Sequence, residues 1–239
     1  MTAFNDVVIQ RKNGVMQIAI NRPSKKNALT TQMYDAIREA IESIIDDDTI
    51  RAILIHGSST VFSAGNDLSD FRDSSFEGPL PAFKLLNTLH LLDKPIVASV
   101  SGIAVGVGAT ILLHCDLVYA SNTRFSMPFV NLGVCPEAGA SFLLPKIAGH
   151  RKAAEILMLG DFFDTKTAMD IGLVSAEVSE NDVLNHAIHK AEKLAAMPVE
   201  PLRITKQLIK KPWCAHLTEH MQEEFDHFSE LLKLSNFRK

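Results

Sequence analysis

Ala52-Ile53-Leu54-Ile55-His56 leads into Phe62-Ser63-Ala64-Gly65-Asn66-Asp67-Leu68, and Pro95-Ile96-Val97-Ala98-Ser99-Val100 leads into Ser101-Gly102-Ile103-Ala104-Val105-Gly106-Val107-Gly108. Each is an apolar run of strand length followed by a turn punctuated by glycine. Runs of this kind read as strands buried on both faces, as in a parallel sheet. The two strand-to-turn junctions can each aim one backbone N–H at the same oxygen. Two such donors stabilise an oxyanion, because fixed dipoles at a dry site need no reorganisation as charge develops.

Working outward from these junctions, Asn13-Gly14 sits between the apolar stretches 7–10 and 15–21 and predicts an N-terminal hairpin. Residues 31–45 carry Met33, Ile37, Ala40, Ile41 and Ile44 at helical spacing, and residues 81–92 carry Phe83, Leu86, Leu89 and Leu92. A short helix is expected over 107–114 and a further strand over 116–120. Strands alternating with helices predict crossover units around a largely parallel core, an α/β fold. After Gly149 the pattern changes. Residues 153–160, 165–171, 182–196, 199–210 and 216–234 all read as helical, with 173–178 strand-like among them and Pro198, Pro201 and Pro212 at the joints. We therefore expect one structural domain, with residues 1–149 as the core and 150–239 as a helical C-terminal region.

At 239 residues the chain can bury one sizeable core. Its formal charge of −4, with no dense Lys/Arg stripe, argues against a nucleic-acid partner. Cys115, Cys135 and Cys214 lack any C-x-x-C spacing, so neither a disulfide framework nor a zinc ribbon is expected. The first residues show no signal pattern, no apolar run reaches membrane-spanning length, and Asn236-Phe237-Arg238-Lys239 is not a peroxisomal address. The expectation is a cytoplasmic protein with no membrane partner.

The best candidate for a catalytic carboxyl is Glu137, in Val134-Cys135-Pro136-Glu137-Ala138-Gly139 ahead of Phe142-Leu143-Leu144. Weakly polar surroundings raise a carboxyl pKa and suit it to proton transfer. Read on spacing alone, a helix N-terminal glutamate favoured by the dipole outweighs the catalytic reading. His216-Leu217-Thr218-Glu219-His220 matches an inverted zinc-protease pattern but reads as the polar face of a surface helix, so no metal site is expected. Gly106-Val107-Gly108 has Ile111 where a dinucleotide fingerprint needs its third glycine. Cys135 reads as a small buried hydrophobe, and Lys25-Lys26 as a solvated loop.

Taken in order, Asn21-Arg22-Pro23-Ser24-Lys25-Lys26-Asn27-Ala28-Leu29, then Phe62 to Leu68, Gly102 to Asp116 and Gly172-Leu173-Val174, the chain resembles the crotonase (enoyl-CoA hydratase/isomerase) superfamily. The resemblance implies a spiral of ββα units, a helical C-terminal trimerisation region giving a homotrimer or hexamer, and acyl-CoA thioester substrates. Coenzyme A would be part of the substrate, with no separate cofactor. It further implies an oxyanion hole at the backbone N–H groups of Asn66 and Val107. Ala64, Gly65, Asp67 and Leu68 would lie along the adenine and pantetheine, and Lys25 and Lys26, beside Ala28, near the phosphates. Gly106, Thr110 and Phe129 would complete the substrate-binding set. Hydratases of the family carry glutamates where this chain has Thr110 and Phe129. Met127 to Gly133 followed by Pro136-Glu137 is similar instead to the Δ3,Δ2-enoyl-CoA isomerase branch, whose lone catalytic glutamate falls at Glu137. The implied reaction is the shift of a 3-enoyl-CoA to trans-2-enoyl-CoA in fatty acid beta-oxidation. Other crotonase-type chemistry, such as hydration, or a non-catalytic acyl-CoA-binding module are the alternatives.

Overall fold

The computed structural model describes residues 6–69 and 80–234. The readings made on residues 1–5 and 236–239 lie outside them. Strands β1 (Val7–Lys12) and β2 (Val15–Ile20) form the hairpin around Asn13-Gly14, with both turn residues at positive φ. β2 then pairs in parallel with β3 (Ala52–His56), β3 with β4 (Ile96–Val105), and β4 with β5 (Leu117–Ser126). Helices α1 (Thr31–Glu42) and α2 (Pro81–Leu91) precede β3 and β4, as the periodicity predicts. The Thr30 side chain caps α1 by accepting from the Met33 N–H.

The sheet is buried on both faces, and the alternation along each strand shows it. Ile53 and Ile55 of β3, with Ile96, Ala98 and Val100 of β4, face the main core that α1 and α2 cover. Ala52, Leu54, Val97 and Tyr119 face the opposite side, where Val183, Ala187, Ala191 and Ala195 of the helix Val183–Ala195 pack. A helix stripe made mostly of alanine lets that backbone lie close to the sheet. The continuous apolar runs of the strands thus follow from two covered faces.

Two expectations are corrected. The stretch 101–105 is strand, since β4 continues to Val105 with a bulge between Ser101 and Ile103, so the second turn begins at Gly106. Gly102 marks that bulge, not the end of the strand. Of residues 173–178, only Ala176–Glu177 (β7) is strand. It and the short β6 (Phe163–Asp164) both pair with β5, so the C-terminal region contributes to the sheet as well as covering it. The helix expected over 107–114 is α3 (Val107–Thr110) followed by a 3-10 turn, Ile111–His114. The remaining C-terminal helices include Val199–Lys210 and Cys214–Leu234. Lys206, 5% exposed, ties the first of these to the sheet through Asp116 Oδ2 at 2.8 Å and the Lys94 carbonyl at 2.6 Å. Asp116 in turn accepts the Ile96 N–H at 2.7 Å, at the start of β4.

Candidate active site

The first junction is held on both sides by backbone. Ser63 bridges Ala104 of β4: the Ser63 N–H donates to Ile103 C=O, and Val105 N–H donates to Ser63 C=O. On the other side Ala64 N–H donates to Lys26 C=O, Leu29 N–H to Gly65 C=O, and Asp67 N–H to Leu29 C=O. The parallel bridge to Leu29 uses groups of Gly65 and Asp67, and therefore turns the Asn66 N–H toward the β4 side. At the second junction Gly106 N–H donates to Ser126 C=O, and Val107 opens α3, where an N–H has no partner within its helix. Among the described residues, neither the Asn66 nor the Val107 N–H donates to a backbone carbonyl.

The two junctions meet at glycine. Gly65 has φ +96°, and a Cβ there would lie 2.8 Å from the Val105 carbonyl oxygen, so only glycine permits both the conformation and the approach. Gly106, at φ +55°, faces Gly65 Cα across the gap. The Asn66 side chain is fixed as well, its Oδ1 accepting from the Tyr34 hydroxyl of α1.

Ala64, Gly65, Asn66, Leu68, Gly106 and Phe129 come together in the wall of one cavity of about 110 Å³, which Phe228 and Leu232 of the last helix close. Phe129 gives this wall an apolar ring, 3% exposed, and no carboxyl. A larger cavity of about 550 Å³ lies between the ends of α1 and α2 and the helix Val199–Lys210. It touches none of the predicted site residues, so the chemistry argues for the smaller one. Thr110 is buried in α3 with its hydroxyl unpaired and does not line the 110 Å³ cavity. Lys25 and Lys26 are exposed, and Arg22 donates to the Ala28 carbonyl. The Asp67 side chain is engaged internally, with Arg22 Nη1 at 2.6 Å and the Ser69 hydroxyl at 2.6 Å. Partial burial pushes its pKa up, but Ser69 and Arg22 together hold it at about 2.

Glu137 lines a small adjoining void with Phe83, Leu86 and Phe225, and Phe228 is common to both walls. Glu137 is 9% exposed, and its buried Oε1 has no hydrogen-bond partner. Burial among these groups, with a further contribution from the charge of Glu224, raises its pKa to about 8. The helix-dipole reading fails locally: α4 (Ala140–Ala148) starts after Glu137, and Glu224 of the last helix caps it. Glu224 accepts the Gly139 N–H at 2.6 Å, and the Ser141 N–H at 2.9 Å and hydroxyl at 2.5 Å. Sequence reasoning missed Glu224, and only its place among apolar residues of a periodic helix marks it. Burial raises the Cys135 thiol to about 11, which leaves it a poor nucleophile. His220 of the H-x-x-E-H pattern bonds the Ser141 hydroxyl at 2.8 Å.

Val107 itself does not line the 110 Å³ cavity, but two neighbouring amides without backbone partners, with a buried carboxyl whose pKa is raised to about 8 in the adjoining void, are the kinds of group that can enolise an ester or thioester and return the proton elsewhere. The enoyl-CoA hydratase/isomerase family model matches residues 10–239. Enoyl-CoA delta isomerase 2 of Rattus norvegicus is 36% identical over 86% of this chain and 54% of its own length. The chain thus spans about half the length of that relative. A crystal structure of an enoyl-CoA hydratase/isomerase from Pseudoalteromonas atlantica superposes with a TM-score of 0.92 at 34% identity, over 98% of this chain and 93% of that one. An enoyl-CoA hydratase from Mycobacterium avium subsp. paratuberculosis superposes at 0.88 with 29% identity, over 98% and 96%.

Proposed function

This chain belongs to the enoyl-CoA hydratase/isomerase family, and from that premise we propose that it shifts a 3-enoyl-CoA to trans-2-enoyl-CoA with Glu137 as the single base. The observation that supports this reading is the buried Glu137 carboxyl, whose Oε1 has no partner, in a void that shares Phe228 with the cavity lined by Asn66 and Gly106. In this reading the Asn66 and Val107 amides form the oxyanion hole. The ionised carboxylate removes a proton from C2. The C2–H electron pair forms a C1–C2 double bond conjugated with C3–C4, giving a dienolate whose charge gathers on the thioester oxygen between the two amides; on protonation at C4 the carbonyl reforms and the double bond lies between C2 and C3. The same carboxyl, now protonated, returns the proton at C4, so nothing is gained or lost overall. Hydration needs a second acid/base group to activate water, and Phe129 and Thr110 offer none. The isomerase and hydratase names among the relatives fit one fold serving both reactions.

The reading extends to assembly and place. Ile204, Leu208 and Ile209 leave an apolar face exposed on the helix Val199–Lys210, which supports a homotrimer or a dimer of trimers. Light scattering that shows a monomer at micromolar concentration removes that part. The three free thiols suit a reducing compartment, and among the described residues no helix is long and apolar enough to cross a membrane. We propose a cytoplasmic acyl-CoA enzyme of beta-oxidation.

Glu137→Gln keeps shape but removes the base. A 3-enoyl-CoA should still bind, while isomerisation and washing of deuterium into C2 in heavy water fall by about 10² or more. Wild-type product should have unchanged mass; a gain of one water identifies a hydratase instead. The wild-type rate should climb as pH rises through about 8, because the base is the ionised form. A Gln variant that exchanges at the wild-type rate defeats the assignment.

A further inference from the structure

The turn that carries Glu137 is unusual in its backbone. Ala138, with a Cβ, sits at φ +64°, and Gly139 follows at φ +69°. A residue other than glycine in this region persists only where its surroundings fix it. Two side chains from distant parts of the sequence do so. His114, after α3, donates its Nε2–H to the Ala138 carbonyl at 2.8 Å. Burial lowers its pKa to about 3, so the ring is neutral and this tautomer is set by the carbonyl it faces. From the other side, Glu224 takes the Gly139 and Ser141 amides and the Ser141 hydroxyl.

We propose that Glu224 is a positioning residue for the reaction: by gripping the amides that follow Glu137, it holds the base against the substrate cavity from the C-terminal helix. The proposal rests on the reading of Glu137 as the base. Glu224 touches neither cavity wall and has its carboxylate fully engaged, so its effect passes through the turn and through its charge. The groups facing the pair can be named from each packed element. The last helix presents Glu224 and His220, whose Nε2 lies 3.9 Å from Glu224 Oε1 and bonds the Ser141 hydroxyl. The turn after α3 presents His114, whose ring meets His90 of α2 edge-on at 6.2 Å. The loop itself presents Cys135, whose Sγ lies 3.5 Å from the Glu224 carbonyl oxygen. Toward the Glu137 void, α2 offers only apolar side chains such as Phe83 and Leu86. Burial first, and then the like charge of Glu224, keep the Glu137 proton on; Glu224 is itself raised by burial, which its three donors offset only in part.

The decisive measurement is the titration of Glu137, followed by carbon-13 NMR in glutamate-labelled enzyme and assigned with Glu137→Gln. In Glu224→Gln the titration should move to lower pH, because a like charge is removed. The acid limb of the isomerisation rate should move with it, and kcat should fall with KM nearly unchanged. Ser141→Ala should do the same to a smaller degree, since it takes one donor from the Glu224 carboxylate and so favours its protonated form. This second variant decides the matter if the first does not fold. A folded variant in which the Glu137 titration and the kcat profile are those of wild type overturns the positioning role. If Glu137→Gln is inactive in that case, the base reading stands alone. If Glu137→Gln is fully active, the base reading falls, while the NMR titration still reports whether Glu224 governs Glu137.

Discussion

The paired glycine junctions and the Glu137 turn lie side by side but are built in opposite ways. At the junctions the frame is largely backbone to backbone: the 63–67 segment threads between Leu29 and the end of β4, and these bonds take up the Ser63, Ala64 and Asp67 amides while leaving that of Asn66 without a backbone partner. At the Glu137 turn the backbone is bent against its preference and held by side chains, His114 from one side and Glu224 from the other. A site made of ladder bonds depends on what the chain lacks, namely a Cβ at the point of closest approach. A site made of side-chain grips depends on residues far away in sequence. The two halves should therefore fail differently, and each can be broken without the other.

The largest effect should come from Gly65→Ala. The new Cβ must displace the Val105 carbonyl and strain a φ of +96°, which moves the Asn66 amide off its target. Losing one donor of this kind costs about 10²–10³ in rate. Glu137 should still titrate near 8 in this variant, since nothing around it has changed. Steady-state rates together with the carboxyl titration check both halves at once; a downward move of that titration would show that the regions are coupled after all.

The same contrast explains what could be read from sequence. The strand 52–56, the hairpin at Asn13-Gly14 and the helices over 31–45 and 81–92 are encoded locally, by period and turn residues, and the structure has them. The junction at Gly65 was legible for the same reason. Gly102 misled because glycine marks bulges as well as turns, and only pairing with β5 distinguishes them. The stretch 173–178 looked like a full strand because its apolar residues serve packing instead: Leu173 and Val174 are core residues outside the two-residue β7. Glu224 could not be found at all, since its partners lie 83 and 85 residues away and nothing in its own neighbourhood predicts them. Glu137 was legible as a candidate, but its burial depends on Phe83, Phe225 and Phe228, which the fold brings from two other helices.

A second, smaller break separates stability from chemistry in the side-chain-held half. Lys206→Met removes the cation that joins the helix Val199–Lys210 to Asp116 and leaves that carboxylate facing a largely buried position. Removing one partner of a fully buried pair costs about 3–5 kcal/mol; Asp116 is 30% exposed and keeps the Ile96 N–H, so we expect less than that, about 2 kcal/mol. Denaturant unfolding should show a reduced midpoint with an unchanged slope. At a temperature where the variant is folded, its kcat should be that of wild type. A matching loss of kcat would mean that the C-terminal helices transmit strain to the site, beyond the grip of Glu224.

The smallest effect belongs to the outer rim of the junction region. Lys26 gives its backbone carbonyl to Ala64 N–H at 3.0 Å, so the loop that carries Lys25 and Lys26 is fastened to the first junction while both side chains remain exposed. Replacing both by Ala keeps the fastening and removes two positive charges. If these side chains meet the phosphates of coenzyme A, binding at low salt should weaken by a few-fold, because exposed ionic contacts contribute about 0.2–1 kcal/mol each. The gap between wild type and variant should close as salt rises past about 0.1 M, where charges are screened over about 10 Å. Calorimetric titration of coenzyme A at two salt concentrations checks both statements. Equal affinity at low salt would assign the lysines to solvated surface, and recognition at this junction would then rest on backbone alone.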